Sequence, residues 1–325
     1  MVFYPLKFSP IFKQRIWGGT RLTSILNKPS FSEKIGESWE LSSLKNNESV
    51  VKNGSLTGKN ITEIISLHKE NIVGNKIYKE FGNHFPLLFK FLDASDNLSI
   101  QVHPDNETAK RKHESLGKTE MWYVIDAAPD TKIIAGFNQE ITKKDLLNHI
   151  HNQTIEEVLS FHETEKGDVF FISEGVVHAL GKGAMVAEIQ QSSDITYRVY
   201  DYNRKETNGK TRELHVEDAL ECINLDGFKK QHFPDSSKEL RRELADCNFF
   251  TTNILNTCKP TKISYSGIDS FIVFMCIEGN YKIVCNGAET PVVKGETVLL
   301  PAIIKDIEII PEKDHPLTLL ETYIK

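Results

Sequence analysis

Short apolar runs bounded by turn residues recur along the first part of the chain. Glu37-Ser38-Trp39-Glu40-Leu41-Ser42, Leu87-Leu88-Phe89-Lys90-Phe91-Leu92, Met121-Trp122-Tyr123-Val124-Ile125 and Lys132-Ile133-Ile134-Ala135-Gly136-Phe137 are rich in aromatic and β-branched residues, which predicts strands. Helical patches interrupt them. Thr62 to Phe81 carries Ile64, Ile65 and Leu67 and then a shorter patch around Ile77 and Phe81. A capping hydroxyl followed three residues later by an acid predicts a helix start at Thr142 and Asp145, and a second near Thr154 and Glu157. Both lie between Phe137 and Gly167, so they read as an insertion between strands.

From about Asp201 to Asn248 the pattern turns polar, with one more helix suggested by Leu214, Val216, Ala219 and Leu220. Pro234-Asp235-Ser236-Ser237 has linker composition. Short strands then resume at Phe271–Met275, Tyr281–Cys285 and Thr297–Pro301. Many short strands with glycine turns predict a mainly β chain, a sandwich or barrel. Lys166-Gly167-Asp168-Val169-Phe170-Phe171-Ile172 and Lys294-Gly295-Glu296-Thr297-Val298-Leu299-Leu300 share one theme, a glycine turn entering a buried strand. Two units are therefore expected, residues 1–235 and 236–325. A histidine, His178, follows only the first copy, so chemistry is assigned there.

Composition narrows the function. The net charge of −6 is the wrong sign for a nucleic-acid surface, although a small anionic substrate needs only a few local cations. The first residues lack the pattern of a secretory signal, and no run approaches the roughly 18 apolar residues of a membrane span. The five cysteines form no CxxC pair and read as thiols in a reducing cytoplasm. Any metal must therefore rest on histidine and carboxylate.

Ser99-Ile100-Gln101-Val102-His103-Pro104 alternates so that Gln101 and His103 share one strand face while Ile100 and Val102 take the other. Two poorly solvated polar groups facing a barrel interior need a partner, and a divalent cation supplies one. Glu120 opens the next apolar strand and His178 follows a buried run. One amide oxygen, two imidazoles and a carboxylate suit zinc with a position left open, and the set accepts other borderline divalent ions. Taken singly, each has a plainer reading: His103 as a turn histidine beside Pro104, Gln101 as a water-facing strand residue, Glu120 as a strand-end charge.

Seven segments in order resemble the type I mannose-6-phosphate isomerases, particularly their shorter bacterial form. They are Ile16-Trp17-Gly18-Gly19, Gly36-Glu37-Ser38-Trp39-Glu40, Pro86-Leu87-Leu88-Phe89-Lys90 running on to Gln101-Val102-His103-Pro104-Asp105, Gly117-Lys118-Thr119-Glu120-Met121-Trp122-Tyr123, Gly175-Val176-Val177-His178-Ala179, Glu188-Ile189-Gln190-Gln191-Ser192-Ser193-Asp194, and Tyr197-Arg198-Val199-Tyr200-Asp201-Tyr202. The resemblance implies two cupin (jelly-roll type) β-barrels, with a small helical insertion in the first and no metal ligands in the second. It implies one Zn2+ per chain on Gln101, His103, Glu120 and His178, and an aldose–ketose isomerase acting through an enediol on mannose 6-phosphate and fructose 6-phosphate.

It further places the family's active-site lysine on Lys118 and its essential arginine on Arg198, with Glu188 and Asp194 near the site as candidate acid/base groups. Ser99, Lys90 and Arg15 are candidate phosphate contacts, and Trp17 either lines the pocket or packs. Lys118 can act as a base only if its pKa falls toward neutrality. Where many relatives have Lys-Pro-Glu, this chain has Lys118-Thr119-Glu120. A non-catalytic sugar-binding cupin and a different metal-cupin enzyme are the alternatives. The expected partner is a sugar phosphate, with neither nucleic acid nor membrane, and the chain is expected as monomer or homodimer.

Overall fold

The structure is a computed structural model, described here for residues 2–29, 31, 33–206, 209–226, 228, 240–313 and 315–325. The linker expected at Pro234-Asp235-Ser236-Ser237, and with it the 235/236 boundary, lies outside the described residues.

Antiparallel strands form sheets of seven, six, five and four strands. The six-stranded sheet runs Val169–Ile172, Glu120–Ala127, Ala184–Gln191, Leu87–Asp93, Ile35–Leu41, Ile11–Gly19. Facing it is a five-stranded sheet of Tyr197–Tyr200, Ile100–Val102, His178–Ala179, Lys132–Phe137 and Leu159–Glu163. Trp122, Val124, Phe170 and Leu92 from the first meet Ile133 and Ala135 from the second in one buried cluster. The chain is thus mainly β, as its turn-flanked runs predict.

Strand alternation explains why the six-stranded sheet is buried on both faces. Phe89, Phe91, Met121, Tyr123, Ala187 and Ile189 point away from that cluster and pack with Val273, Met275 and Leu320 of the seven-stranded sheet. Their alternates Lys90, Glu120, Trp122 and Glu188 therefore face inward, toward the five-stranded sheet. Ile100 and Val102 pack outward against Leu146 and Ile150 of helix Lys143–His151 and Ala219 of helix Val216–Cys222. The seven- and four-stranded sheets enclose their own core of Phe274, Leu319, Ile283 and Ile309. One N-terminal strand crosses over: Leu6–Ser9 pairs with Thr297–Leu300, placing Leu6 opposite Leu299.

The helical patch after Asn60 opens on a capping box, with the Glu63 amide donating to Asn60 Oδ1 at 2.8 Å and the Asn60 amide to Glu63 Oε2 at 2.8 Å. It is divided into Ile61–His68, Glu70–Val73 and Asn75–Phe81 by positive-φ residues at Lys69 and Gly74. Thr142 caps its helix through Asp145 as expected. Thr154 does not. Its hydroxyl pairs with His149 Nδ1 at 2.8 Å, and the chain makes one 3-10 turn, Ile155–Val158, before entering a strand at Leu159. Burial of Ile155 and Val158 draws that segment into the sheet edge instead of extending a helix. Among the described residues no helix is long and apolar enough to cross a membrane.

Candidate active site

Register across the five-stranded sheet assembles the first part of the site. Gln101 lies directly opposite His178 on one neighbouring strand and Arg198 on the other, so three side chains from distant positions share one face. His178 arrives there after Gly175, whose φ of +81° needs glycine and whose absent Cβ would stand 2.7 Å from Cys222 O. Glu120 comes across from the six-stranded sheet. One ligating atom each from His103, Glu120 and His178 lies within 4.8 Å of the others, and all three residues are buried.

The hydrogen bonds fix what these atoms are. His103 Nδ1–H donates to Ile195 O and His178 Nδ1–H to Val176 O, both at 2.8 Å, because a carbonyl can only accept. Burial above all, with Lys118 nearby, holds His103 well below the ordinary imidazole range, and burial brings His178 down to about 4. Both rings are therefore neutral, and each turns an Nε2 lone pair inward. His178 Nε2 is 3.3 Å from Glu120 Oε1, and His103 Nε2 is 3.7 Å from Glu120 Oε2. Burial above all lifts the Glu120 carboxyl to about 8, and its Oε1 has no hydrogen-bond partner among the described residues. The Lys118 ammonium reaches Glu120 Oε2 and His103 Nε2, and the Gln101 amide nitrogen lies 3.3 Å from His178 Nε2. Two neutral imidazole nitrogens and a buried carboxylate oriented on one point are a donor set that fits a metal ion, so His103, Glu120 and His178 could hold one.

Lys118 is drawn to the same cluster. Its Nζ lies 2.8 Å from Glu120 Oε2 and donates to His103 Nε2 at 3.1 Å. Burial works to lower its pKa, but Glu120 and Glu188 outweigh burial and raise it, so Lys118 is an ammonium and a proton donor. Glu188, pushed up by burial, is held low by Lys90 at 2.8 Å and by Lys118, and also accepts from Trp122 Nε1 at 2.9 Å. Glu37 is a second inward carboxylate kept ionised, by Lys90 and Arg15 against its burial. Arg15 reaches it at 2.9 Å and Trp39 Nε1 donates to it at 2.6 Å. Gly36 makes room, since a Cβ there would stand 2.7 Å from both Arg15 Cβ and Trp17 Cζ3.

Above this floor opens a cleft of about 480 Å3. Gln101, Lys118, Glu188, Asp194, Arg198, Ser99, Lys90, Arg15 and Trp17 all line it, so nine of the twelve expected residues meet there and the other three lie in contact beneath. Asp194 is exposed at the rim and, among the described residues, makes no hydrogen bond or ion pair. Arg198 donates to Glu213 O at 2.8 Å and has a buried, unpartnered Nε, with no ion pair among the described residues. Burial and neighbouring Arg212 lower its pKa. Lys90 is buried and committed to Glu188 and to Gln190 Oε1 at 2.6 Å.

The family described as phosphomannose isomerase type I, catalytic domain, matches residues 6–121. Over 305 residues, 93% of this chain and 94% of the relative, the sequence is 37% identical to mannose-6-phosphate isomerase ManA of Bacillus subtilis. The chain belongs to the type I mannose-6-phosphate isomerase family. A mannose-6-phosphate isomerase of Streptococcus mutans is 35% identical over 94% of this chain and 97% of its own. The crystal structure of the Bacillus subtilis mannose 6-phosphate isomerase superposes with a TM-score of 0.87 at 33% identity, covering 98% of this chain and 99% of that one. A phosphomannose isomerase variant from Salmonella typhimurium shares the fold at 14% identity and a TM-score of 0.75.

Membership in the family makes two features of this chain easier to place. The family match ends just past Glu120, so it spans Gln101, His103, Lys118 and Glu120, and sheet register brings in His178 and Arg198. Thr119, where the Lys-Pro-Glu pattern has proline, uses both groups proline lacks: its amide donates to Gln191 Oε1 at 2.9 Å and its hydroxyl to Glu174 Oε2. Sequence reasoning did not assign Glu37, Trp39, Trp122, Thr196, Glu206 or Arg212 to the cleft. A usable signal was present for Glu37 and Trp39: they alternate on a strand whose every residue is buried, so a carboxylate there must have a partner.

Proposed function

We propose that this chain is a divalent-metal-dependent isomerase that interconverts mannose 6-phosphate and fructose 6-phosphate through an enediol. The observation that carries the reading is the convergence of the His103 and His178 Nε2 atoms and the buried Glu120 carboxyl, within 4.8 Å of one another, under a cleft lined with cations. His103, Glu120 and His178 would hold one zinc ion, and Gln101, whose amide nitrogen lies 3.3 Å from His178 Nε2 in this structure, would join them on flipping its amide to present the oxygen. When bound, the ion supplies Lewis-acid or orienting chemistry toward the oxygens at C1 and C2.

Charge supports the substrate. Arg15, Lys90, Lys118, Arg198 and Arg212 are five cations lining the cleft, against the four carboxylates Glu37, Glu188, Asp194 and Glu206. With Glu120 beneath as a carboxylate, the described residues of the site sum to formal neutrality. A divalent ion would then give it the charge that complements a phosphate dianion. Ser99, Arg15 and Lys90 are the assigned phosphate side of the cleft, with Trp17 as its wall.

For the chemistry, a base takes the C2 proton while the C1 carbonyl oxygen gains one, giving the enediol; return delivers a proton to C1 and removes one from O2. Asp194 has free lone pairs and is assigned the carbon proton. Lys118, kept protonated, donates at oxygen. Glu188 is committed to Lys90 and Trp122 and acts by positioning the two lysines. Arg198, which makes no ion pair among the described residues, stabilises the developing oxyanion. The test is a coupled assay for fructose 6-phosphate formed from mannose 6-phosphate, before chelation, after it, and after zinc is restored. Activity should vanish and return; turnover that survives prolonged chelation removes the metal from the account, and no turnover with zinc removes the reaction.

A further inference from the structure

Three chain segments must converge to bring His103, Glu120 and His178 together, and a polar cluster behind them, buried at Thr119 and Gln191 and reaching the surface at Asn106, ties those same segments to one another. Thr119 stands between Lys118 and Glu120, so while its neighbours face the cleft its own side chain points the other way. Its hydroxyl donates to Glu174 Oε2, and the Glu174 amide returns a long bond to the same hydroxyl at 3.4 Å. Glu174 lies four residues before His178, on the loop that delivers it. Glu174 is half-buried and, among the described residues, makes no ion pair; the bond its carboxylate accepts from this hydroxyl is charge-assisted.

The second half of the cluster reaches His103. Thr119 is bracketed by Gln191, whose Oε1 accepts from the Thr119 amide at 2.9 Å and whose own amide donates to Thr119 O at 3.2 Å. Gln191 Nε2 donates to Asn106 Oδ1 at 3.0 Å, three residues beyond His103. The Gly117 amide donates to that same Asn106 oxygen at 2.8 Å, and the Lys118 amide to Pro104 O at 3.0 Å. None of Thr119, Glu174, Gln191 and Asn106 lines the cleft. Thr119 is 1% exposed and Gln191 4%, so at these two residues solvent does not replace the bonds, while Glu174 is half-buried and Asn106 exposed.

We propose that Thr119, Glu174, Gln191 and Asn106 are positioning residues, a clamp that presets the separation of His103, Glu120 and His178 before a divalent cation binds; this rests on the metal-dependent reading above. Partners outside the ligand shell fix ligand orientation, and losing one typically weakens metal affinity about 10- to 100-fold. The clamp acts on the ligands' spacing and leaves the substrate-facing groups untouched.

The test uses the full chain with Co2+ as probe, titrated against a chromogenic chelator, with the visible spectrum of bound cobalt and the melting temperature of the chelated protein read in parallel. Thr119→Val and Glu174→Gln should each weaken cobalt about 10- to 100-fold and alter the band shape that reports ligand geometry. Thr119→Ser, which keeps the hydroxyl, should stay within about 3-fold of wild type. If Thr119→Val does not fold, Glu174→Gln carries the same test with one atom changed. Variants that melt earlier yet bind cobalt with unchanged affinity and spectrum overturn the clamp and leave the metal site standing. A wild type that binds no cobalt overturns the metal reading, and the clamp with it.

Discussion

Glu188→Gln should destabilise the protein far more than a surface substitution would. The change keeps the shape and one acceptor for Trp122 but removes the charge that Lys90 and Lys118 share. The Glu188 and Lys90 side chains are 3% and 7% exposed, so water does not replace the lost interaction. Removing one member of a buried ion pair costs about 3–5 kcal/mol, because the other is left as an uncompensated buried charge. At about 2–4 °C per kcal/mol in chains of a few hundred residues, the melting temperature should fall on the order of 10 °C. The assay is thermal unfolding of the chelated protein, followed by circular dichroism. Lys90→Met in the same chain should recover a good part of the loss, since the orphaned ammonium is then gone. A fall below about 2 °C, or a double variant no more stable than Glu188→Gln alone, would refute the argument.

Two further outcomes follow from burial. His178 is held at about 4 when folded against 6.5 unfolded, so its contribution is complete above 6.5 and is lost as pH falls from there toward 4, roughly 3 kcal/mol in all. The chelated wild type should therefore lose stability across that window more steeply than chelated His178→Gln, in urea titrations at several pH values; equal slopes would mean that His178 is solvated. Leu6→Ala should cost about 2–5 kcal/mol, since Leu6 is fully buried where the N-terminal strand joins the seven-stranded sheet. The three tryptophans, Trp17, Trp39 and Trp122, all sit in the six-stranded sheet, so their fluorescence midpoint should shift together with the circular dichroism midpoint. A shift in one signal alone would show that the two sandwiches unfold separately.

What the sequence shows of this site depends on the range of the interaction. Gln101 and His103 are legible because strand alternation is local, and Ile100 and Val102 do pack on the other face as that alternation requires. Glu120 and His178 are not legible by the same means. Their place depends on sheet pairing between residues 77 apart, His178 against Gln101, and on a second sheet folding over the first. The ordered family motifs supply those two positions, with Lys118 and Arg198; Lys118 and Arg198 line the cleft and Glu120 and His178 lie beneath it.

Other features were hidden for the same reason. Lys90 looks like a free cation in Leu-Leu-Phe-Lys-Phe-Leu, yet its strand partner at that register is Glu188, and the two form the buried pair that shapes the site. Leu6–Ser9 carries no mark that it will pair with residues almost 300 positions away. Thr154 has the spacing of a helix start, but Ile155 and Val158 have a sheet edge to fill, and tertiary burial outweighed the local signal. In the sequence Thr119 is only a departure from a proline pattern; its hydrogen bonds to Glu174 and Gln191 give it a physical role.

The central claim is that His103, Glu120 and His178 hold a divalent metal on which isomerisation depends, and one comparison tests it most directly. Wild type and His103→Ala are purified side by side, their zinc content is measured after dialysis, and conversion of mannose 6-phosphate to fructose 6-phosphate is followed in both. The account predicts about one zinc per wild-type chain, and neither retained metal nor turnover in His103→Ala while the variant remains folded. A variant that is less stable but keeps its zinc and its turnover would contradict the account and make His103 a structural histidine.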